Sequence, residues 1–206
     1  MATSLELFNE HGISNVSSKY VSEVMGISYG NLCYHFPKKD DIVLQLYLDM
    51  QNKLDQQFER VQRDIFNLEF MLVGLRDLFN ILYEYKFIYL GITKVIRHFE
   101  TIKKHAQEQN ITRGKTLNTI GTFLVENGYL KPFESKEHKD MLIHALLMVI
   151  NSWIADSEVF FQKTENKIEY YVKLFFSMVK PLLTEKGLEK YDIIYEYFNQ
   201  QDVATK

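Results

Sequence analysis

Residues 16–39, VSSKYVSEVMGISYGNLCYHFPKK, constrain the fold most strongly, because they contain two short helical patterns joined by a tight turn. Ser17 or Ser18 can cap the first helix, since a serine hydroxyl accepts a hydrogen bond from an unpaired N–H group of the first turn. Gly26 stands where that helix should end, because glycine adopts the left-handed conformation without a steric penalty. Two helices around a glycine turn predict a helix-turn-helix, the motif whose second helix enters the DNA major groove.

The second helix of this motif is predicted over residues 29–36. Ser28 is placed to cap it, and Leu32 and Phe36 lie four residues apart, so that both side chains face the interior. Pro37 should end the helix, because the residue before a proline is displaced from the α region. Paired helices around a glycine also occur as plain helical hairpins, so the geometry alone leaves a hairpin without a DNA-binding function open.

Residues on both sides of the motif continue a pattern with fixed spacings. A small residue precedes an apolar pair and a phenylalanine, a glycine follows four residues later, and the turn, the second helix and a lysine complete the pattern. This pattern resembles the N-terminal domain of the TetR family of transcriptional repressors over residues 3–46. The residues that carry the resemblance are Ser4-Leu5-Glu6-Leu7-Phe8, Gly12, Val21-Ser22, Gly26-Ile27-Ser28, Leu32, Tyr34-His35-Phe36 and Lys39.

The resemblance implies which residues meet DNA. The N-terminal end of the recognition helix would reach base edges, with Asn31 pairing bidentately with adenine and Tyr29 reaching a thymine methyl group or a phosphate. Lys19 and the N–H groups at the start of the preceding helix suit a phosphate. Lys39 matches a family position that contacts the DNA backbone or braces the helix. The DNA-binding residues expected from the resemblance are Ser17, Ser18, Lys19, Ser28, Tyr29, Gly30, Asn31, Tyr34, His35 and Lys39.

Two features argue against strong DNA binding. The family usually has tyrosine where this chain has Cys33, so a phosphate-binding hydroxyl group is absent there, and Tyr34 is the candidate replacement. Residues 1–50 contain three lysines against six acidic residues, and the whole chain has a formal net charge of −3. Since phosphate neutralisation supplies most non-specific affinity, we expect weak binding to generic DNA. The alternative is a solvated helix face on a helical ligand-binding or protein-interaction module that has lost strong DNA binding.

The rest of the chain predicts further helices. With 206 residues, three prolines and nine glycines, long helices are favoured over a barrel or sandwich. One helix is predicted over residues 87–99, and another of about 25 residues, about 37 Å long, follows an apolar stripe. That stripe is Ile42, Leu46, Met50, Leu54, Phe58, Val61 and Ile65. We predict an all-α chain of nine or ten helices, with a three-helix helix-turn-helix domain over residues 1–47 and a helical ligand-binding and dimerisation domain over residues 48–206, the latter implied by the resemblance.

Other features exclude whole classes of protein. Cys33 is the only cysteine, which excludes an intrachain disulfide and any cysteine-based zinc site. No apolar run reaches the roughly 18 residues of a membrane span and no signal-peptide pattern is present, so we expect a soluble cytoplasmic protein without a membrane partner. The pairs His98 and His105, and His138 and His144, lack the spacing of a helical metal site, and no phosphate loop or nucleophile elbow occurs. We predict no metal, no cofactor and no enzymatic activity.

The resemblance also implies a ligand pocket and a homodimer in the C-terminal part. Few charges interrupt the central helices, which favours an apolar or aromatic small-molecule ligand. The expected pocket residues are Phe87, Tyr89, His98, Phe99, Asn118, Phe123, Asn151 and Trp153. The last two long helices would pack against a twofold partner, unless their shared stripe is intrachain core. That stripe is Leu142, Leu146, Ile150, Tyr171, Phe175 and Val179.

The residues and the resemblance together predict a ligand-responsive repressor that binds a palindromic operator in double-stranded DNA as a homodimer. Its two recognition helices would be spaced by about one DNA turn, roughly 34–36 Å. A small-molecule effector would release the DNA by preferring a state with a different spacing. The long helix over residues 42–65 is the expected link between pocket and recognition helix.

Overall fold

The structure is a computed structural model of the chain and describes residues 1–63, 68–163 and 166–204. Within these ranges, side chains are described except at positions 62, 68–72, 194–195 and 197–204. The described ranges contain eleven α-helices and no strand, which confirms the all-α prediction. The helices are α1 Ala2–His11, α2 Ser18–Val24, α3 Tyr29–His35, α4 Lys39–Arg63, α5 Leu68–Glu84, α6 Lys86–Leu90, α7 Ile92–His98, α8 Glu100–Glu126, α9 Lys136–Val159, α10 Lys167–Val179 and α11 Glu185–Ala204.

The helix count differs slightly from the predicted nine or ten. Residues predicted as one helix over 87–99 divide into α6 and α7 at Gly91, whose φ of −104° and ψ of 13° leave the helical region. Glycine is a poor helix former, which makes it a natural place for such a break. The predicted stripe along α4 is present as far as Val61, and its last member, Ile65, lies outside the described residues.

The turn between α2 and α3 has the predicted glycine geometry. Gly26 has a φ of 69°, in the left-handed region that glycine adopts without strain. The Gly26 N–H donates to the Glu23 carbonyl at 3.1 Å, and the Ile27 N–H donates to the Ser22 carbonyl at 3.0 Å. These are the two hydrogen bonds of a Schellman motif, which satisfies carbonyl groups at the end of α2 and directs the chain into α3.

The chain forms two compact units. The first comprises residues 1–56 and 81–105, and the second comprises residues 57–80 and 106–206 as far as they are described. α4 contributes its first eighteen residues to the first unit and the remainder to the second. The predicted domain boundary between residues 47 and 48 falls inside α4 and stays a prediction.

The first unit packs the helix-turn-helix against α6 through an apolar core. Phe8 is fully buried, and its ring centre lies 5.4 Å from that of Phe87. The Asn9 side chain joins the same elements, because its Nδ2 donates to the Glu84 carbonyl at 2.8 Å and its Oδ1 accepts from the Phe87 N–H at 3.1 Å. The α4 stripe supplies buried side chains to the same unit, namely Ile42, Leu46, Met50 and Leu54.

Two polar contacts place α7 and the start of α8 beside α4 in this first unit. The His98 Nε2 lies 2.7 Å from the Asp40 carboxylate in the first turn of α4. The Tyr47 hydroxyl lies 2.9 Å from His105 Nδ1, with the two rings arranged edge to face. The start of α4, α7 and the start of α8 therefore belong to the compact unit that holds the helix-turn-helix.

In the second unit, α9 and α10 pack around Trp153. Its indole is stacked on Phe79 at 5.1 Å and lies 5.3 Å from the ring of Tyr171. The Tyr171 hydroxyl donates a hydrogen bond to the Asp156 carboxylate. Burial raises the pKa of Tyr171 and the contact with Asp156 raises it further, so this hydroxyl stays protonated.

α9 is long and apolar enough to span a bilayer by length and composition, with a mean hydropathy of 1.3 over its most apolar window. This corrects the sequence-based expectation that no segment of the chain would meet such a criterion. One helix of this kind is weak evidence, because core helices of soluble proteins meet the criterion too. Leu146, Ile150 and Ile154 of α9 are in fact buried inside the second unit.

Candidate DNA-binding surface and ligand cavity

α3 presents a polar face to solvent. Its start is fixed by Ser28, whose hydroxyl oxygen accepts a hydrogen bond from the Asn31 N–H at 3.1 Å. Leu32 on the opposite face is buried and anchors the helix. A short helix with one buried face and one open polar face has the geometry for entering a major groove. The exposed residues on and beside α3 include every predicted contact residue there: Ser28, Tyr29, Gly30, Asn31, Tyr34 and His35.

The aromatic residues of α3 have different surroundings. Tyr34 is 82% exposed, and its ring meets the His35 imidazole edge to face at 5.1 Å. Tyr29 is half exposed, and a side-chain hydrogen bond with Cys33 raises the pKa of Tyr29. Cys33, at the position where the resemblance predicts tyrosine, therefore contacts Tyr29. The i, i+4 spacing of the two residues could have indicated this contact. Tyr34 is exposed to solvent, and its role as a replacement phosphate-binding hydroxyl stays a prediction.

The start of α2 offers a second polar edge. Ser17 caps the helix by accepting a hydrogen bond from the Tyr20 N–H at 3.1 Å, while Ser18 is half-buried. Lys19 is exposed, and its ammonium group lies 3.9 Å from the Glu23 carboxylate one turn further on. Exposed pairs of this kind are worth about 0.3–0.5 kcal/mol, so Glu23 offers little resistance to a phosphate that approaches Lys19.

Lys39 is engaged inside the protein. Its Nζ donates a hydrogen bond to the Ile13 carbonyl at 2.8 Å, in a partly buried position between α4 and the turn after α1. Of the two roles that the family suggests for this position, bracing the helix-turn-helix fits this geometry better than contact with the DNA backbone.

The charge of the first unit is more balanced than that of residues 1–50. The unit contains nine lysine and arginine residues and nine aspartate and glutamate residues, so its formal net charge is zero. The added basic residues come mainly from α7 and the start of α8, where Lys94, Arg97, Lys103 and Lys104 lie. A formal net charge of zero does not provide strong non-specific attraction to the DNA phosphates.

The second unit contains a cavity of about 200 Å³ lined by residues of α4, α5, α8, α9, α10 and α11. One wall follows a single face of α8, where Arg113, Leu117, Ile120 and Leu124 recur at spacings of four, three and four. The other walls are mostly aliphatic and aromatic, and they include Phe58 and Val61 of α4, Leu75 of α5 and Phe176 of α10. A mostly apolar cavity with a few polar side chains is typical of a small-molecule site.

Only Asn118 of the eight residues predicted to line a pocket lies on the wall of this cavity. Phe87, Tyr89, His98 and Phe99 belong to the first unit, where Phe87 packs against Phe8 and His98 contacts Asp40. None of these four residues lines the cavity of the second unit. Aromatic content alone did not distinguish a core from a pocket.

The remaining three predicted pocket residues lie in the second unit but not on the cavity. Trp153 fills the core against Phe79, and Asn151 is exposed and donates a hydrogen bond to Asn110 at 2.9 Å. Phe123 is half-buried on α8 and does not line the cavity. The apolar face of α8 could have indicated the cavity wall, whereas the positions of the aromatic residues did not.

The residues predicted to form a dimer interface lie inside a single chain. Leu142, Leu146, Ile150, Phe175 and Val179 all line the cavity, and Tyr171 is 2% exposed. This arrangement corresponds to the intrachain alternative that the sequence left open, because α9 and α10 turn this stripe towards the interior of their own unit.

A different stripe of α9 is exposed. Met141, Met148 and Val159 are 60%, 58% and 65% exposed, respectively. Spacings of seven and eleven residues put these three side chains on one face of the helix. An apolar stripe exposed along one face of a helix is a candidate interaction surface. We call Met141, Met148 and Val159 the outer α9 stripe.

The described side chains include no group of three or more His, Cys, Asp and Glu residues that could hold a metal ion. The two candidate sites in the described part of the chain are the exposed face of α3 and the apolar cavity of the second unit.

Two family models match the chain. The model described as "Bacterial regulatory proteins, tetR family" matches residues 1–46, and the model described as "Bacterial transcriptional repressor" matches residues 49–191. No curated protein matches the sequence.

Solved structures share the fold. A TetR-family transcriptional regulator from Marinobacter aquaeolei VT8 has a TM-score of 0.83 at 22% identity, with 95% of each chain covered. The ketosteroid transcriptional regulator KstR2 of Mycobacterium tuberculosis has a TM-score of 0.59 at 17% identity, over 89% of this chain and 92% of that one. A gamma-butyrolactone receptor, an ArpA-like protein, has a TM-score of 0.69 at 10% identity, over 97% of this chain and 94% of the receptor.

At these identities the solved structures show the fold, and the family models show the family. Together the two models cover the helix-turn-helix and most of the helices that follow it. The chain therefore belongs to the TetR family of transcriptional regulators, with a DNA-binding helix-turn-helix at its N-terminus and a ligand-binding domain after it.

Proposed function

We propose that this protein is a cytoplasmic, homodimeric repressor that a small-molecule effector with a large apolar part releases from a palindromic operator. One observation carries the proposal: the same chain has an exposed recognition helix in one compact unit and an apolar cavity in the other. A regulator needs both features, one to read DNA and one to receive the signal. The fold is similar to that of a gamma-butyrolactone receptor, and this similarity supports a small organic molecule as the signal.

Base reading is assigned to the exposed end of α3. The Asn31 side-chain amide has the donor and acceptor that pair bidentately with adenine, and its N–H is already satisfied by Ser28. Tyr29 and Gly30 lie beside it and allow close approach to a thymine methyl group or a phosphate. Tyr34 and His35 are assigned to the phosphate backbone on one side of the groove, because both are exposed at the far end of α3.

Backbone contact on the other side of the groove is assigned to the start of α2. Ser17, Ser18 and Lys19 place free N–H groups, hydroxyl groups and one cation at a helix N-terminus, which suits a phosphate. Lys39 holds Ile13 and keeps the helix-turn-helix in shape.

The dimer interface is assigned to the outer α9 stripe. The three side chains are exposed in a single chain and lie on one face of a helix of 24 residues. In α10, Leu174 is also 37% exposed and is a further apolar side chain available to a twofold partner. The substitution Met148→Lys should place a charge in this interface and convert the dimer to a monomer in sedimentation velocity. Ile193→Lys, at a 52% exposed position of α11, is the matched control and should leave the dimer intact.

Release is a population shift between two states of the dimer. The effector binds the state whose recognition helices do not match the operator spacing, and operator affinity falls by no more than the ratio of its affinities for the two states. α4 is the assigned link, since its residues belong to both units and Phe58 and Val61 line the cavity.

Fluorescence anisotropy on DNA from upstream of the protein's own gene, across a salt series, tests the proposal. We expect specific binding that weakens as salt increases, because phosphate contacts release counterions. Asn31→Ala should cost about 1–3 kcal/mol of specific binding and relax the preference at one base pair. Asn52→Ala, at an exposed position of α4, is the matched control. If an intact dimer bound this DNA no better than random DNA, the alternative of a helical ligand-binding module would replace the repressor.

A further inference from the structure

We propose that the effector is an amphipathic anion, a carboxylate on a medium-length aliphatic chain, whose head group pairs with Arg113 inside the cavity. This inference rests on the proposed function in one respect only, namely that the cavity is the effector site. It adds a chemical class that the apolar lining by itself does not specify.

Arg113 is a buried cation with no counterion among the side chains that the structure describes. The residue is 7% exposed and lies on the cavity wall of α8. Among the described side chains, its buried Nε has no hydrogen-bond partner, and none of them forms an ion pair with the guanidinium group. A buried charge left unpaired is strongly unfavourable, so proteins pair such groups or use them to bind a charged ligand. The cavity is where the missing partner can enter.

Phe58 holds this guanidinium group in place. The Arg113 Cζ lies 5.7 Å from the centre of the Phe58 ring, and both residues line the cavity. The cation–π contact compensates part of the burial without using any N–H donor of the guanidinium group. The planar donors stay available for two parallel hydrogen bonds to a carboxylate, which is the geometry that arginine prefers.

The other charges on the cavity wall have the same sign. Lys139 of α9 and Lys190 of α11 line it together with Arg113, whereas no aspartate or glutamate does among the described residues. A lining with cations and no anions favours an anionic ligand and disfavours a cationic one. Because Lys139 is half-buried and Lys190 is exposed, solvent screens both more strongly than it screens Arg113.

The rest of the cavity fits an aliphatic chain. From Arg113, the lining face of α8 continues through Leu117 and Ile120 to Leu124, eleven residues away. That distance is about 16 Å at 1.5 Å per residue. An extended chain advances about 3.5 Å over three bonds, so about 13 carbon–carbon bonds is the upper limit for a straight tail. The volume of about 200 Å³ lies below the roughly 300–1,000 Å³ of most ligand pockets, which fits a slim tail.

Calorimetric titration of the full chain, without DNA, tests the head group. The ligands are decanoate, decanol and decylammonium, which share one tail and differ in charge. We expect decanoate to bind at least about tenfold more tightly than decanol, and decylammonium to bind most weakly. Octanoate should bind more weakly than decanoate, by roughly three- to fourfold for each missing methylene group.

Arg113→Met tests the residue. It should weaken decanoate binding about 10- to 100-fold and leave decanol binding unchanged, a selective loss that a merely structural role would not produce. Lys115→Met, at an exposed position of α8 outside the cavity lining, is the matched control and should leave decanoate binding unchanged. Lys139→Met and Lys190→Met should each weaken decanoate binding less than threefold, because both groups are better solvated than Arg113. If the Arg113 variant fails to fold, the comparison of the three head groups on the unaltered protein decides the question.

Several outcomes would overturn the proposal. Equal binding of decanoate and decanol would refute the anionic head group while leaving an apolar effector cavity intact. Retention of the carboxylate preference in Arg113→Met, with its loss in Lys139→Met or Lys190→Met, would move the head group elsewhere. Failure of all the ligands to bind would refute a carboxylate on an aliphatic chain as the class of effector. None of these titrations contains DNA, so a failure to bind an operator is a separate result.

Discussion

Replacing Gly187 with alanine should destabilise the second unit sharply. Gly187 lies in the first turn of α11, where the helix meets the connection between α8 and α9. A Cβ atom at this position would lie 2.1 Å from the Tyr129 carbonyl oxygen and 3.1 Å from Leu183 Cδ2. The first distance is much shorter than any real contact of a Cβ atom, and the opposing group is backbone, so a rotamer change cannot relieve it.

The surrounding backbone has little freedom to move away. The Thr184 N–H donates to the Tyr129 carbonyl at 3.1 Å, and the Thr184 hydroxyl donates to the Gly128 carbonyl at 2.6 Å. The Lys131 N–H donates to the Leu182 carbonyl at 2.8 Å. Separating α11 from Tyr129 by the required distance would stretch or break these hydrogen bonds, each worth about 1 kcal/mol.

The expected loss of stability combines the cost of overpacking with the cost of the lost hydrogen bonds. Overpacking costs about 1–3 kcal/mol, and one or two lost hydrogen bonds add about 1–2 kcal/mol, so we expect a loss of about 2–4 kcal/mol in the free energy of unfolding. For a chain of this length that corresponds to a melting temperature lower by about 5–15 °C. Thermal unfolding followed by circular dichroism at 222 nm measures it.

Gly114→Ala is the matched control. Gly114 lies inside α8, where a Cβ atom would meet only Leu147 Cδ1 at 3.6 Å, an ordinary van der Waals distance. Alanine is favoured over glycine inside a helix by about 0.5–1 kcal/mol, so this variant should melt at or slightly above the temperature of the unaltered protein. If Gly187→Ala melted as high as Gly114→Ala, the close approach of α11 to Tyr129 would be refuted.

Three further substitutions separate stability from DNA binding. Ser28→Ala removes the cap of α3 and should cost about 1 kcal/mol and weaken operator binding, whereas Ser135→Ala removes the cap of α9 at a similar cost without weakening it, as denaturation and anisotropy together would show. Asn9→Leu leaves the Phe87 N–H unsatisfied and should cost about 2–3 kcal/mol in urea unfolding, whereas Asn80→Ala, at an exposed position, should be nearly neutral. Lys39→Met should cost about 1–2 kcal/mol but leave the salt dependence of operator binding unchanged, and a slope lower by about one would instead assign Lys39 to a phosphate.

The helix-turn-helix could be predicted from the sequence because its signals are local. Ser17 and Ser28 cap the helices that they precede, and Gly26 has the left-handed conformation that its position required. Each of these signals depends on a few neighbouring residues and a backbone preference. The apolar stripe of α4 is local in the same sense, since its period alone identifies the buried face.

The cavity could not be predicted in the same way. A cavity exists where side chains from several helices fail to fill the space between them, and this depends on the spacing of elements far apart in the sequence. Phe58 and Val61 continue the same stripe as Leu54, yet Leu54 is core and the other two line the cavity. Arg113 shows the opposite difficulty, because an arginine within a helix ordinarily indicates a solvated face, and only the tertiary packing shows that it is buried.

α4 offers a direct test of how the two sites communicate. The boundary between the compact units falls after Gln56, and both Asp55 and Gln56 are exposed there, so substitutions at these positions touch neither the recognition helix nor the cavity wall. Two glycines should weaken the helix at this point by about 1 kcal/mol each, whereas two alanines should strengthen it slightly.

If α4 carries the coupling, the variant with glycine at positions 55 and 56 should keep its affinities for the operator and for the effector. It should lose most of the factor by which the effector weakens operator binding. Coupling of this kind typically amounts to about 5- to 150-fold, and we expect the glycine variant to reduce it at least about threefold. The double alanine variant should keep the full factor. Anisotropy titrations with and without effector measure all three quantities on the same proteins. If the glycine variant kept the full coupling factor, a continuous α4 would be unnecessary for release. Another element, such as the α5–α6 connection that Asn9 contacts, would then transmit the signal.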